Sequence, residues 1–164
     1  MSDHREERLP VRRDALKLRW RERIESNTAA INRAVREVLK RARATKSVRL
    51  DARSEVEIAL REALANAVFH GNEGDPDKRV FLRVYGGGNW GLLVVVRDEG
   101  PGFDPKAVPD PREGDRLELT HGRGVFLMKE LMDYVEWRKQ GREVVLFKKR
   151  ARVRRAGSGR TEPA

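Results

Sequence analysis

Apolar residues recur along the chain in two rhythms, one of period two and one of about 3.6. From Ala15, the residues Leu16, Leu18 and Trp20 alternate with polar neighbours and Ile24 follows, which predicts a half-buried strand ending near Ser26. Ser26 or Asn27 can cap the next helix, where Ile31, Ala34, Val35, Val38 and Leu39 line one face. Thr45–Leu50 reads as a connector. A helical rhythm resumes near Ala52 through Val56, Ala59 and Leu60, with Asp51 as the expected N-cap and Gly71 as the expected terminator. Gly71–Lys78 is a dense turn signal. Val80, Leu82 and Val84 then alternate as a strand, Gly86-Gly87-Gly88-Asn89 makes a hairpin connection, and Leu92–Val96 is the unbroken apolar run of a central strand covered on at least one face. From Asp104 to Thr120 proline, charge and glycine dominate, and a loop of that length in a domain reads as a lid. A last helical face runs through Val125, Phe126, Met128, Leu131 and Met132, before Tyr134–Arg138 and Glu143–Phe147 pair around Gln140-Gly141. The order predicts an α+β fold: a two-layer sandwich with helices on one face of a mixed, mostly antiparallel sheet.

Composition sets the limits of that domain. The 164 residues are 38% charged and 38% hydrophobic, and the apolar ones cluster between about Leu16 and Phe147. The expected organisation is therefore a tail over residues 1–13, a domain over 14–149 and a basic tail over 150–164. No stretch approaches the roughly 20 apolar residues of a membrane helix, and the N-terminus lacks the apolar segment of a signal peptide. With no cysteine, disulfides and thiolate metal sites are excluded. A soluble, cytoplasmic protein without membrane association is the expectation. The net charge of +10 comes largely from the Arg/Lys-rich strand and helix before Lys46 and from Lys148–Arg155. No aromatic residues are interleaved with the basic tail for stacking on bases, so a solvated tail or a patch for an acidic protein partner is favoured over nucleic-acid recognition.

Three separated stretches carry polar groups that packing alone does not require. Glu62 and Asn66 lie one turn apart on a single stripe, flanked by Ile58 and Phe69 on one side and by Ala59 and Ala63 on the other. Glu57 and Arg61, also four apart, form a separate side that faces water. A carboxylate and an amide among small apolar residues are costly to bury without partners, so the stripe is either half-exposed or completed by another segment or a ligand. In Asp98–Gly102 a carboxylate ends the apolar strand and two glycines permit close backbone approach. Such a carboxylate can accept from an exocyclic amine, although an ordinary turn uses the same residue types. Gly122-Arg123-Gly124 opens a helix, where free N–H groups favour a phosphate. The P-loop pattern Gly-x-x-x-x-Gly-Lys-Ser/Thr is absent.

Taken together and in order, Glu62-Ala-Leu-Ala-Asn66-Ala-Val-Phe-His70-Gly71-Asn72, Asp98-Glu99-Gly100-Pro101-Gly102-Phe103-Asp104 and His121-Gly122-Arg123-Gly124-Val125-Phe126-Leu127-Met128 resemble the GHKL ATPase superfamily with its Bergerat ATP-binding fold. The chain is most similar there to the anti-sigma-factor serine/threonine-protein kinases of bacterial stress and sporulation control. The resemblance covers about Leu16 to Lys149. It implies ATP and Mg²⁺ as cofactors, with Asn66 as the magnesium ligand and Glu62 as the general base toward a serine hydroxyl or water. It implies further that Asp98 binds the adenine amine, that Gly100 and Gly102 let the backbone and base approach closely, and that Gly122, Arg123 and Gly124 cradle phosphates under the lid. His70 is open between a helix-end role and ligand contact. The implied partners are an antagonist protein bearing the acceptor serine and a sigma factor. Related kinases are often dimers, though no stretch here is assigned to a homodimer contact.

Two departures qualify the resemblance. The family's usual Gly-Thr entering the last strand is Gly141-Arg142 here, which puts the adenine contact in doubt and keeps open a nucleotide-dependent interaction module without transfer activity. No histidine stands on an upstream helix as a phosphoacceptor, since His4 lies in the tail, so any kinase activity must act on another protein.

Overall fold

The backbone alternates between the two rhythms in the expected order. In a computed structural model that describes residues 9–11, 15–87, 90–105, 107 and 123–150, the elements are β1 (Lys17–Glu25), α1 (Thr28–Ala44), α2 (Arg53–Ala65), β2 (Arg79–Gly87), β3 (Gly91–Arg97), α3 (Arg123–Leu131), β4 (Tyr134–Arg138) and β5 (Glu143–Lys149). A single π-helical turn, Asn66–Gly71, continues α2. The five strands form one sheet in the order β1-β2-β3-β5-β4, and every neighbouring pair is antiparallel. The sheet expected to be mixed thus has no parallel pair among the described residues. The lid expected over Asp104–Thr120 falls outside the described residues except for 104, 105 and 107, as do His121 and Gly122.

Alternation along the strands sorts side chains between two layers. Leu82, Val96 and Val144 stand in one cross-strand row and pack with Val35, Leu60 and Met128 of the three helices. Leu93, Val95, Val145, Phe147 and Tyr134 point the other way and form a second apolar cluster with Leu16 and Val11. Covering on both faces is the physical reason that Leu92–Val96 reads as an unbroken apolar run. Leu9 and Val11, which the sequence alone places in the tail, pack on this outer cluster, and Val11 is buried.

Local chemistry sets the element ends. Asn27 caps α1, its Oδ1 accepting from the Ala30 N–H at 2.8 Å. Asp51 does not cap α2: Ala52 occupies that position without a side-chain bond, because both carboxylate oxygens of Asp51 accept from Arg49 (3.0 and 3.1 Å). The alternation of β1 is also interrupted. Arg19 is an extra residue in the β1–β2 ladder, so Leu18 faces Tyr85 on the outer side while Trp20 faces Val84 on the helical side. Arg19 Nε donates to the Gly86 carbonyl at 2.7 Å, and the Arg41 guanidinium lies 4.9 Å above the Trp20 ring. Among the described residues no helix is long and apolar enough to cross a membrane.

Candidate functional site

Helix α2 carries Glu62 and Asn66 to the edge of the core, on the side of the sheet where α3 packs. Both are half-buried. Among the described residues neither side chain has a hydrogen-bond partner, while Glu57, on the other side of the helix, pairs with Arg61 at 2.9 Å. Asn66 begins the π-helical turn, whose wider winding is common at functional sites. The turn closes through bonds from Asn72 N to Ala67 O and from Gly74 N to Val68 O, both 2.8 Å.

Helix α3 meets this stripe at its first turn. A Cβ on Gly124 would lie 2.6 Å from Glu62 Oε2 and 3.5 Å from Asn66 Nδ2, so a side chain there would displace the Glu62 carboxylate. The N-terminal turn of α3, the positive end of its dipole, is thereby brought beside the carboxylate and the amide.

Asp98 stands at the end of β3. Its own N–H donates to the Arg142 carbonyl at 3.0 Å, and its Oδ1 accepts from the Gly100 N–H at 2.8 Å. Burial pushes its carboxyl above the usual range, while the Gly100 N–H and the charges of Arg142 and Lys78 act in the opposite sense. Gly71 does not end the helix in the left-handed conformation expected of a terminating glycine. Instead the positive φ angles fall at Glu73 and Gly74, and the need for glycine at 71 comes from Asp98: a Cβ there would lie 2.7 Å from both carboxylate oxygens. Gly102 has φ +84° and packs against the β4–β5 turn, where Gly141 has φ +83°.

Behind this loop sits Asn72, fully buried, to which the sequence alone assigns no role. Its Nδ2 donates to Ser26 Oγ (2.9 Å) and to the Arg79 carbonyl (3.0 Å), and its Oδ1 accepts from the Glu99 N–H (2.8 Å). One amide thus ties the end of β1, the start of β2 and the Asp98 loop together. The signal available in the sequence was a polar residue directly after Gly71, at a position otherwise read as turn.

Between the stripe, α3 and the Asp98 loop lies a cavity of about 430 Å³, within the range of small-molecule and cofactor sites. Of the residues singled out from the sequence, Glu62, Asn66, Asp98, Gly102 and Gly124 line it, and His70 joins them. Gly100 and Arg123 do not; Gly100 acts on the wall through Asp98, and Arg123 is exposed at the start of α3. Gly122 lies outside the described residues. Sequence reasoning missed the apolar wall of Val125, Met128 and Trp137, with Phe103 edge-on to Trp137 at 6.4 Å. Strand alternation alone put Trp137 on the helical side. Arg142 also lines the cavity, its Nε donating to the Lys139 carbonyl at 3.1 Å.

The donor set fits a magnesium–nucleotide pair better than a free metal. Among the described residues no group of three or more His, Asp or Glu side chains could hold an ion alone. A single amide oxygen beside a phosphate-favouring helix end suits a cation that arrives with phosphate and water ligands.

The chain is also similar to known proteins. Residues 24–148 match the histidine kinase-like ATPase domain. Similar curated proteins include the anti-sigma F factor of Halalkalibacterium halodurans, 31% identical over 90 residues that cover 53% of this chain and 60% of that protein. Another is the anti-sigma F factor of Heyndrickxia coagulans, 32% identical over 93 residues, 56% of this chain and 63% of the relative. A third, from Bacillus cytotoxicus, is 33% identical over 85 residues, 51% of this chain and 58% of the relative. The chain thus spans about three fifths of the length of the curated relatives it matches. With the family match extending from β1 to β5 and enclosing the whole cavity, the chain belongs to the histidine kinase-like ATPase domain family.

Proposed function

We propose that the chain is a cytoplasmic ATP-dependent serine kinase that acts on an antagonist protein and also binds a sigma factor. The observation that carries the reading is the seating of Gly124 against Glu62 and Asn66, in the wall of a cavity that Asp98 also lines. The names of the similar proteins, anti-sigma F factors, support the partner classes.

Each wall residue then has a task. Oδ1 of Asp98 is taken by the Gly100 N–H, which leaves Oδ2 to accept from the exocyclic amine of adenine. Trp137, Val125 and Met128 supply the apolar surface for the base. The first turn of α3, with Gly124 at the cavity wall, would offer N–H groups to the phosphates, and the resemblance adds Gly122 and Arg123 to that role. Asn66 would hold Mg²⁺ through Oδ1, and the ion would offset charge on the phosphates. Glu62 accepts the proton of the attacking serine hydroxyl as its oxygen bonds to the γ-phosphorus and the bond from that phosphorus to ADP breaks.

Incubation with Mg-ATP and a cognate antagonist protein should place phosphate on a serine. Glu62→Ala should abolish transfer and keep ATP binding, read by radiolabel transfer and by titration calorimetry. Equal transfer by the wild type and Glu62→Ala would show that Glu62 is not the base.

Arg142 favours a second reading, a nucleotide-dependent interaction module without transfer. It stands where the family has threonine, and its side chain is held at the cavity wall by the Lys139 carbonyl. ATP binding with no phosphate lost over hours beside the antagonist would select that reading.

A further inference from the structure

The face of the sheet opposite the nucleotide cavity carries a cluster of cations. Strand register sets Arg21 directly opposite Arg83, Arg23 opposite Phe81, and Phe81 opposite Arg97. These five residues share the outer face and, together with Glu22 and Leu82, bound a cleft of about 420 Å³. The Arg97 guanidinium lies 4.6 Å from the centroid of the Phe81 ring. In the same cross-strand row as Arg97 stands one carboxylate, Glu143, buried and already shared between Arg83 (2.9 Å) and Lys139 (3.5 Å). Arg21 and Arg23 are exposed and hold no ion pair with any described residue. Of the neighbouring acids on β1, Glu25 pairs with Arg33 at 2.9 Å, and Glu22 borders the cleft although alternation sets it in the row of Leu82.

Like charges directly opposite each other weaken a strand pair, so Arg21 beside Arg83 does nothing for the isolated fold. Guanidinium groups are suited to bidentate capture of carboxylates. Side chains on one face of a strand repeat every ~6.8 Å, which is also the spacing of alternate residues in any extended peptide laid along β1. We propose that Arg21, Arg23, Arg83, Arg97 and Phe81 form a docking surface for an extended acidic segment of a protein partner, one that carries an apolar side chain among its carboxylates. The guanidinium groups take the carboxylates, and Phe81 takes the apolar side chain. Single-stranded nucleic acid fits less well, because among the described residues Phe81 is the one aromatic ring lining the cleft and offers no stacking series for successive bases.

The test uses the full chain and fluorescence anisotropy at low ionic strength. The probes are a labelled glutamate-rich peptide with one central leucine, the same peptide with serine for leucine, and single-stranded oligothymidylate. The leucine peptide should bind the wild type, and Arg21→Glu combined with Arg23→Glu should weaken it by about tenfold or more. Phe81→Ala should weaken the leucine peptide and leave the serine peptide unchanged. ATP titration should be the same for all these proteins, which separates this surface from the nucleotide site, and thermal melts monitor their folding. Should the double variant fail to fold, Arg21→Ser carries the same test: it should bind the peptide less tightly and melt no lower than wild type, since it removes the repulsion with Arg83. Absence of peptide binding by the wild type, equal binding by the charge-reversed variant, or tighter binding of oligothymidylate than of the peptide would each overturn the proposal.

Discussion

At Gly124 one hydrogen atom separates contact from collision. Alanine is the better helix former by up to about 1 kcal/mol, so Gly124→Ala should leave the melting temperature unchanged or slightly higher. Its methyl group would nevertheless meet Glu62 Oε2 at 2.6 Å and turn that flexible carboxylate out of its place beside α3. Phosphate transfer measured with radiolabel should therefore fall by about tenfold or more while ATP binding and circular dichroism stay native. Asp98 separates function from stability in a similar way. Burial raises its carboxyl pKa, so its contribution to stability is complete below the usual carboxylate range and is lost as pH rises through the raised value. Asp98→Asn keeps the acceptor for the Gly100 N–H and removes the charge. At neutral pH it should melt no lower than wild type, yet bind ATP about 10- to 100-fold more weakly and discriminate less between ATP and GTP.

The elements are held in working order by a few non-local bonds. The turn Asn66–Gly71 winds as a π-helix, and Asn72 then clamps β1, β2 and the Asp98 loop. Replacing Asn72 by alanine would strand the Glu99 N–H and take one donor each from the Arg79 carbonyl and from Ser26 Oγ, which keeps its own bond to the Lys78 carbonyl. The expected cost is about 1–3 kcal/mol, or roughly 2–4 °C of melting temperature for each kcal/mol, with ATP affinity falling as the loop loosens. Differential scanning calorimetry and nucleotide titration on one preparation check both effects.

At the scale of the molecule, the sheet is a partition with different chemistry on its two sides. The helical side holds the nucleotide cavity; the outer side holds the arginine cluster at one end and, at the other, the apolar cluster that contains Tyr134. Burial and a 2.9 Å hydrogen bond to Glu136 push the Tyr134 phenol up to about 12. The folded state thus favours the un-ionised ring. Its contribution is complete below the ordinary tyrosine value near pH 10 and is lost between there and about pH 12. Urea midpoints measured across that window should fall more steeply for wild type than for Tyr134→Phe.

Residue order alone was enough for the succession of elements and for Glu62, Asn66, Asp98, Gly102 and Gly124 among the cavity residues. Strand alternation and helical periodicity are local properties, and glycine, aspartate and asparagine in those motifs are chemically conspicuous wherever the chain takes them. The same order was silent on the bulge at Arg19, the π-helical winding after Ala65, the pairing that takes Asp51 from its cap, and the burial of Val11. Nor did it reveal that Gly71 serves Asp98, that Gly124 serves Glu62, or that Arg21 faces Arg83. Those facts depend on strand register and helix approach, which join residues far apart in the chain, and it is the packed fold that selects which of them meet.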